Sequence, residues 1–308
     1  GGRDNCTKSG YGHDFIGAGC GNTISAGYSG YRVIVGGTNN TISSTYSSYT
    51  FIGGGAANDI TGNCYSVIVG GLRNLILKNH SVIVGGFENT SSAACSFIGG
   101  GYKNVAYSKF SSVVGGCNNS ISSTYCLHTI VGGKNNTISG TYNTAMFIGG
   151  GSSNTISTGM SSDNFIGAGS NNTIDGTLSG MSDNSIVGGS TNKICCGNRA
   201  FIGGGAGNFI NDLTLAEAAA IVGGCENCIE CGPQSIIGAG CKNKISKNHT
   251  AIVGGTLNTG SACCGFIGGG QCNKVLSSDY SAIAGGCNNE ISGSFNACGV
   301  EEFSFIGG

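Results

Sequence analysis

The residues best suited to chemistry in this chain are its 17 cysteines, densest in Cys225-Glu226-Asn227-Cys228-Ile229-Glu230-Cys231. Thiolates at such spacing are what zinc or an iron–sulfur cluster takes. No histidine lies near them, and a strand sends alternate residues to opposite faces, so the run reads as stacked cysteine rather than a metal site. The four histidines, His13, His80, His128 and His249, are scattered, and His80 and His249 share a Lys-Asn-His-Ser/Thr string that reads as a loop variant. Carboxylates are few, and the Glu301-Glu302 pair would form a glycosidase dyad only by coincidence. Gly-rich stretches never take the form Gly-x-x-x-x-Gly-Lys-Ser/Thr. Catalysis, a cofactor and a metal are therefore not expected.

What would position these groups is a strongly biased chain. Of 308 residues 60 are Gly and 1 is Pro, Trp is absent, 9% are charged and the net charge is -1. Collagen needs Gly at every third position together with Pro, and disorder needs few aliphatic residues. Neither fits, since 39% of the chain is hydrophobic. Neutrality argues against nucleic acid or an anionic membrane as partner, and no apolar run approaches the roughly 20 residues of a membrane helix. No signal peptide is visible, and Gly1 reads as a processed or truncated start.

One unit recurs: Ile, Gly or Val, Gly, Gly or Ala, two variable residues, Asn, one variable, Ile. About 18 copies follow one another over 1–308, which predicts a single continuous all-β domain, a parallel β-solenoid or β-roll. Representative copies place Ile52, Ile60, Ile68, Ile76, Ile148, Ile156, Ile202 and Ile210 in the interior, and Asn58, Asn74, Asn154 and Asn208 at corners. There Asn would tolerate a left-handed turn and bond its amide to the backbone, rung upon rung. Variation in length falls after the second Ile, in Ser/Thr/Tyr/Gly-rich loops.

These Ile-Gly-Gly-Gly-x-x-Asn-x-Ile units resemble the Gly-rich head repeats of trimeric autotransporter adhesins, and more closely the repeats of phage and giant-virus tail-fibre proteins. The resemblance implies a left-handed parallel β-roll, trimeric, with one repeat per turn and aliphatic residues inside.

The cysteines suggest a different turn. Counting repeats from Asn5, even repeats hold fourteen cysteines and odd repeats only Cys6, Cys241 and Cys272. The residue after the first Ile alternates in the same sense along the late repeats: Val187, Gly203, Val222, Gly238, Val253, Gly268. Two repeats per turn would explain both, with cysteines gathered on one side. Cys64 with Cys95, and Cys196 with Cys231, would then lie on neighbouring rungs within disulfide reach. Buried free thiols are the alternative.

The expected function is a structural fibre or filament subunit on a cell or virion surface, not an enzyme. Its first partner would be itself, as a homo-oligomer or end to end, because the chain begins and ends in mid-repeat without a cap. A second reading is an adhesin or receptor-binding shaft, in which Tyr/Ser/Asn-rich loops such as Ala26 to Arg32 and Ser43 to Thr50 contact a host glycan or protein. Aromatic residues clustered on one edge would favour that reading. Ice binding and a tail-spike glycan depolymerase are weaker. Asn-x-Ser/Thr sequons begin at Asn5, Asn39, Asn79, Asn89, Asn118, Asn135, Asn171 and Asn248, as a repeat rich in Asn and Thr produces without selection.

Overall fold

The computed structural model describes residues 1–28, 30–44, 49–61, 64–176, 182–211, 218–293 and 303–308. Every regular element among them is a β-strand, and the chain divides into two compact units, Gly1–Ser152 and Ser153–Gly308. Both units follow one plan. Each repeat gives one short strand that ends on the first Ile and one that begins after the Asn, and each kind stacks into its own parallel sheet. We call these the Ile-Gly sheet and the Asn-Ile sheet.

One repeat makes one turn. In the first unit the strand Tyr49–Ile52 pairs with the next repeat's Val67–Ile68, Ile52 opposite Ile68, and Asp59–Ile60 pairs with Leu75–Ile76, Ile60 opposite Ile76. In the second unit Ile202 lies opposite Ile221 and Ile210 opposite Ile229. The expectation of two repeats per turn is overturned. Consecutive copies are neighbours in the ladder, about 4.8 Å apart along the axis.

Glycine and left-handed residues make the corners. At Gly55, φ is 87°, and a Cβ there would lie 2.7 Å from the Asn58 amide nitrogen and overlap the Gly71 carbonyl, so no side chain fits. The left-handed residue is the one before the Asn, such as Ala57 (φ 53°) or Arg73 (φ 55°), and not the Asn itself, which corrects the sequence reading. A second left-handed corner falls three residues before the first Ile, as at Tyr65 (φ 51°) and His80 (φ 56°). Strands of two residues suffice because corners cut them short on both sides.

Inside, Ile52, Ile60, Ile68, Ile76, Ile148, Ile156, Ile202 and Ile210 are all fully buried, and each such side chain contributes about 1.5–3 kcal/mol. A third interior column lies two residues before the first Ile and is mostly polar. Its polar members include Ser66, Ser81, Ser96, Ser111 and His128 in the first unit, and Asn164, Asn184, Ser235 and Thr250 in the second, while Met146, Ala200 and Ala219 are apolar. Its hydroxyls cap loop carbonyls: Ser81 Oγ donates to Ala93 O (2.9 Å) and Thr250 Oγ1 to Ala262 O (2.7 Å). Near the start of the chain this column holds Asp14 and Arg32. The Arg32 side chain is fully buried, ion-paired to Asp14 at 3.0 Å, and donates to Ser44 Oγ and Tyr28 O. Where Ser91 replaces Ile in the core, its hydroxyl meets that of Ser96.

The alternation of Gly and Val has its cause on the outer face of the Ile-Gly sheet. Residues one before and one after the first Ile share that face. Where the first is Phe the second is Gly: Phe15/Gly17, Phe51/Gly53, Phe97/Gly99, Phe165/Gly167, Phe201/Gly203, Phe266/Gly268. The ring lies over its own glycine, with Cε1 3.2–3.4 Å from where a Cβ would stand. Neighbouring turns carry Val instead, as at Val35, Val187, Val222 and Val253, all exposed. The parity seen in the sequence thus belongs to successive turns and not to two sides of one turn.

Candidate interaction surface

The anchor asparagines form a ladder in each unit. Asn208 is typical: its Nδ2 donates to Gly204 O (2.8 Å) in its own turn and to Gly224 O (3.0 Å) in the next, and its Oδ1 accepts the Asn227 backbone N–H (3.0 Å). Asn58 repeats this with Gly54, Gly71 and Asn74, and Asn74 with Gly70, Gly86 and Asn89. Asn154 donates to Gly169 O and accepts from Asn172 N–H. These side chains are fully buried and bonded to the backbone, and Asn74 Nδ2 also donates to Asn58 Oδ1 (3.1 Å).

The ionic side chains pair from turn to turn. Glu88 lies between Arg73 (3.2 Å) and Lys103 (3.5 Å). In the second unit Lys193 meets Asp175 (2.9 Å), Lys242 meets Glu226 (3.5 Å), Lys244 meets Glu230 (2.8 Å) and Lys274 meets Glu290 (3.5 Å). The hydrogen bond from Lys244 holds the Glu230 carboxyl below its ordinary range. Such carboxylates sit singly, each beside a cation, whereas a hydrolytic dyad needs two facing one substrate. Glu301 and Glu302 lie outside the described residues.

The cysteine cluster opens out into separate columns. Cys225 stands at the corner after the Gly pair, Cys228 on the Asn-Ile sheet beside Glu230, and Cys231 two residues after Ile229 at a further left-handed position (φ 51°). Among the described residues no three of His, Cys, Asp and Glu come together as a metal site would require. Thiols with a resolved shift are less acidic than usual: burial pushes Cys195 up to about 12 and Cys228 up to about 11. A nucleophilic cysteine needs the opposite. With one repeat per turn, the pairs expected to bridge are two turns apart. The backbone of Asn79 and His80 hydrogen-bonds to both Cys64 and Cys95 and so separates them, and Asn211 lies in the turn between those of Cys196 and Cys231. Cys298 lies outside the described residues.

His128 is fully buried in the polar column. Its Nδ1 accepts the Met146 N–H at 3.3 Å, its Nε2 has no partner, and burial lowers its pKa to about 4. The ring is neutral at physiological pH and faces no solvent. Of the sequons, Asn89 is consumed by the ladder, while Asn39, Asn118, Asn135 and Asn171 stand exposed at the left-handed corner position.

The feature with most to offer a partner is an aromatic stack in the first unit. The residue three before the first Ile is His13, Tyr31, Tyr49, Tyr65 and His80 in five successive turns. Their rings stack with centroids 4.8, 5.2, 5.1 and 5.3 Å apart and planes within 17° of parallel. The three tyrosines remain about half exposed, so the stack shows solvent a row of ring edges and phenol groups one turn apart. Tyr11 and Tyr28 are also exposed. The loops singled out from sequence thus divide: Tyr28, Tyr31 and Tyr49 project outward, Arg32 and Thr50 point inward, and 29 and 45–48 are outside the described residues. The spacing of Tyr31, Tyr49 and Tyr65 from their isoleucines was the sequence signal for this stack. No known family model matches the chain, and no curated protein matches it either.

Proposed function

We propose that this chain is a structural shaft of a fibre displayed on a cell or virion surface, and that it is not an enzyme. The Asn ladder carries this reading. It spends one buried side chain per turn on holding the next turn, a construction whose product is rigidity along one axis. Carboxylates paired singly with cations, and the Cys195 and Cys228 thiols made less acidic by burial, support a non-catalytic role. The proposed partner is a further copy of the chain, seated on the outer face of the Ile-Gly sheet. Within the second unit that face exposes Phe and Val in a corrugation repeating every two turns, which another copy matches in period.

The test is immunogold labelling of intact producing cells or particles with antibody against the purified chain. Label on projecting appendages is expected; label confined to the cell interior overturns the reading. Adhesion is the second reading, favoured by the His13–His80 stack. Tyr49→Ala interrupts the stack at its centre. Loss of binding to a glycan array or host-cell surface, with the fold intact by circular dichroism, would mark the stack as the contact; unchanged binding would exclude it.

A further inference from the structure

Two cysteines that sequence spacing did not single out are brought together by the one-repeat turn. Cys225 and Cys241 face each other as a parallel bridge between neighbouring turns, in the corner column that follows the Gly pair. Cys225 N–H donates to Gly240 O (2.9 Å) and Lys242 N–H donates to Cys225 O (2.9 Å), so the backbone is fixed on both sides of the pair. In-register parallel neighbours lie about 4.8 Å apart and send their side chains the same way. That separation falls in the roughly 4.4–6.8 Å Cα range of a disulfide. The neighbouring Cys241 thiol makes Cys225 less acidic than usual, and both are partly exposed. Among the described residues no other two cysteines are paired in register on adjacent turns. The next column binds the same two turns through Glu226 and Lys242.

We propose that Cys225 and Cys241 are a redox-closable staple, oxidised by a low-molecular-weight disulfide to a bond joining two successive turns. The thiolate of one cysteine attacks a sulfur of the oxidant, whose S–S bond breaks and releases one thiol. The second thiolate then attacks the mixed disulfide and releases the other. The protein gives up two electrons and two protons, and the oxidant becomes two thiols. The column tolerates change at this height, since Ala206 and Thr256 occupy it in the turns on either side of the pair. Replacing either cysteine by Ser or Ala is therefore compatible with folding. This inference rests on the pairing of turns and is independent of where the protein is displayed.

The reduced chain is incubated at pH 8.5 with glutathione disulfide as the probe, remaining thiols are alkylated, and the chain is cleaved after Glu and Lys. Cleavage places Cys225 in 218–226 and Cys228 in 227–230; in a Cys231→Ser background, Cys241 is the only cysteine in 231–242. The expected product is 218–226 linked to 231–242 in monomeric protein, lighter by two hydrogens than the separate peptides. Cys225→Ser is expected to abolish the link and leave Cys241 alkylated or glutathionylated. Cys241 reacting as a single thiol in the unsubstituted pair, or linked chiefly to a cysteine other than Cys225, overturns the proposal. Linkage found only between chains overturns it as well.

Discussion

Removing one rung of the Asn ladder tests the architecture most directly. In Asn208→Ala the lost amide leaves the part-buried Gly204 carbonyl and the buried Asn227 N–H without their partner, while the Gly224 carbonyl keeps only the Ala206 N–H. An orphaned buried polar group costs about 1–3 kcal/mol, and allowing for relaxation the two together cost about 2–4 kcal/mol. Asn208→Asp keeps the acceptor for Asn227 but turns an oxygen toward two carbonyls, so its loss is larger and eases on acidification as the carboxyl gains a proton. A stacked array can open turn by turn, so the assay is hydrogen exchange read by peptide. Peptides spanning Asn208 and Asn227 should exchange roughly 30- to 1,000-fold faster in the Ala variant, an effect fading over the following turns. Exchange at the unsubstituted rate in those peptides would refute the view that the ladder carries stability.

Other substitutions probe other columns. His128 has a pKa of about 4 when folded against an ordinary 6.5, so the unfolded chain binds the extra proton between those values. Stability is unaffected above pH 6.5 and falls by on the order of 3 kcal/mol as pH drops toward 4, and His128→Ser should remove this part of the acid sensitivity in denaturant melts at pH 7 and pH 4.5. Asp14→Ala strands the buried Arg32 guanidinium and should cost about 3–5 kcal/mol, read as early unfolding of the first unit with the second unit unmoved. Gly203→Val puts a Cβ into the Val222 carbonyl and beside the Phe201 ring, so it should destabilise by more than the about 1–3 kcal/mol typical of overpacking. Val222→Gly, on the exposed partner turn, should cost about 1 kcal/mol, seen as a small shift in melting temperature.

The solenoid and its inward isoleucines were legible because the motif repeats the same aliphatic and Gly positions many times, and the stacked copies leave no other way to bury Ile52 and Ile60. The size of the turn was misread for a physical reason. A period of two repeats arises equally from two repeats per turn and from unlike turns stacked alternately, and the Phe201 ring lying over Gly203 shows the second. The polar interior column was written in the sequence as Ser66, Ser81, Ser96 and Ser111, each two residues before an aliphatic residue. It was missed because serine beside a loop reads as surface; only the loop carbonyls facing inward explain hydroxyls in the core. Arg32 misled in the same way, its charge suggesting solvent while Asp14, one turn earlier, makes burial tolerable. Cys225 and Cys241 lie in successive repeats, but a pattern fitted to even and odd repeats separated them.

The pairing of Phe/Gly turns with Val turns also bears on how such a chain can lengthen. Inserting two adjacent repeats preserves the alternation on both sides of the insertion, whereas inserting or losing one sets two like turns side by side. Within the second unit the order is unbroken from Gly167 to Gly268. Within the first unit Val69 is followed by Val84, and Val114 by Val131, two faults that restore the original phase between them. The outer face therefore gives the gene a preferred quantum of growth, a duplication of about 9.6 Å of axis, at twice the spacing of a single rung.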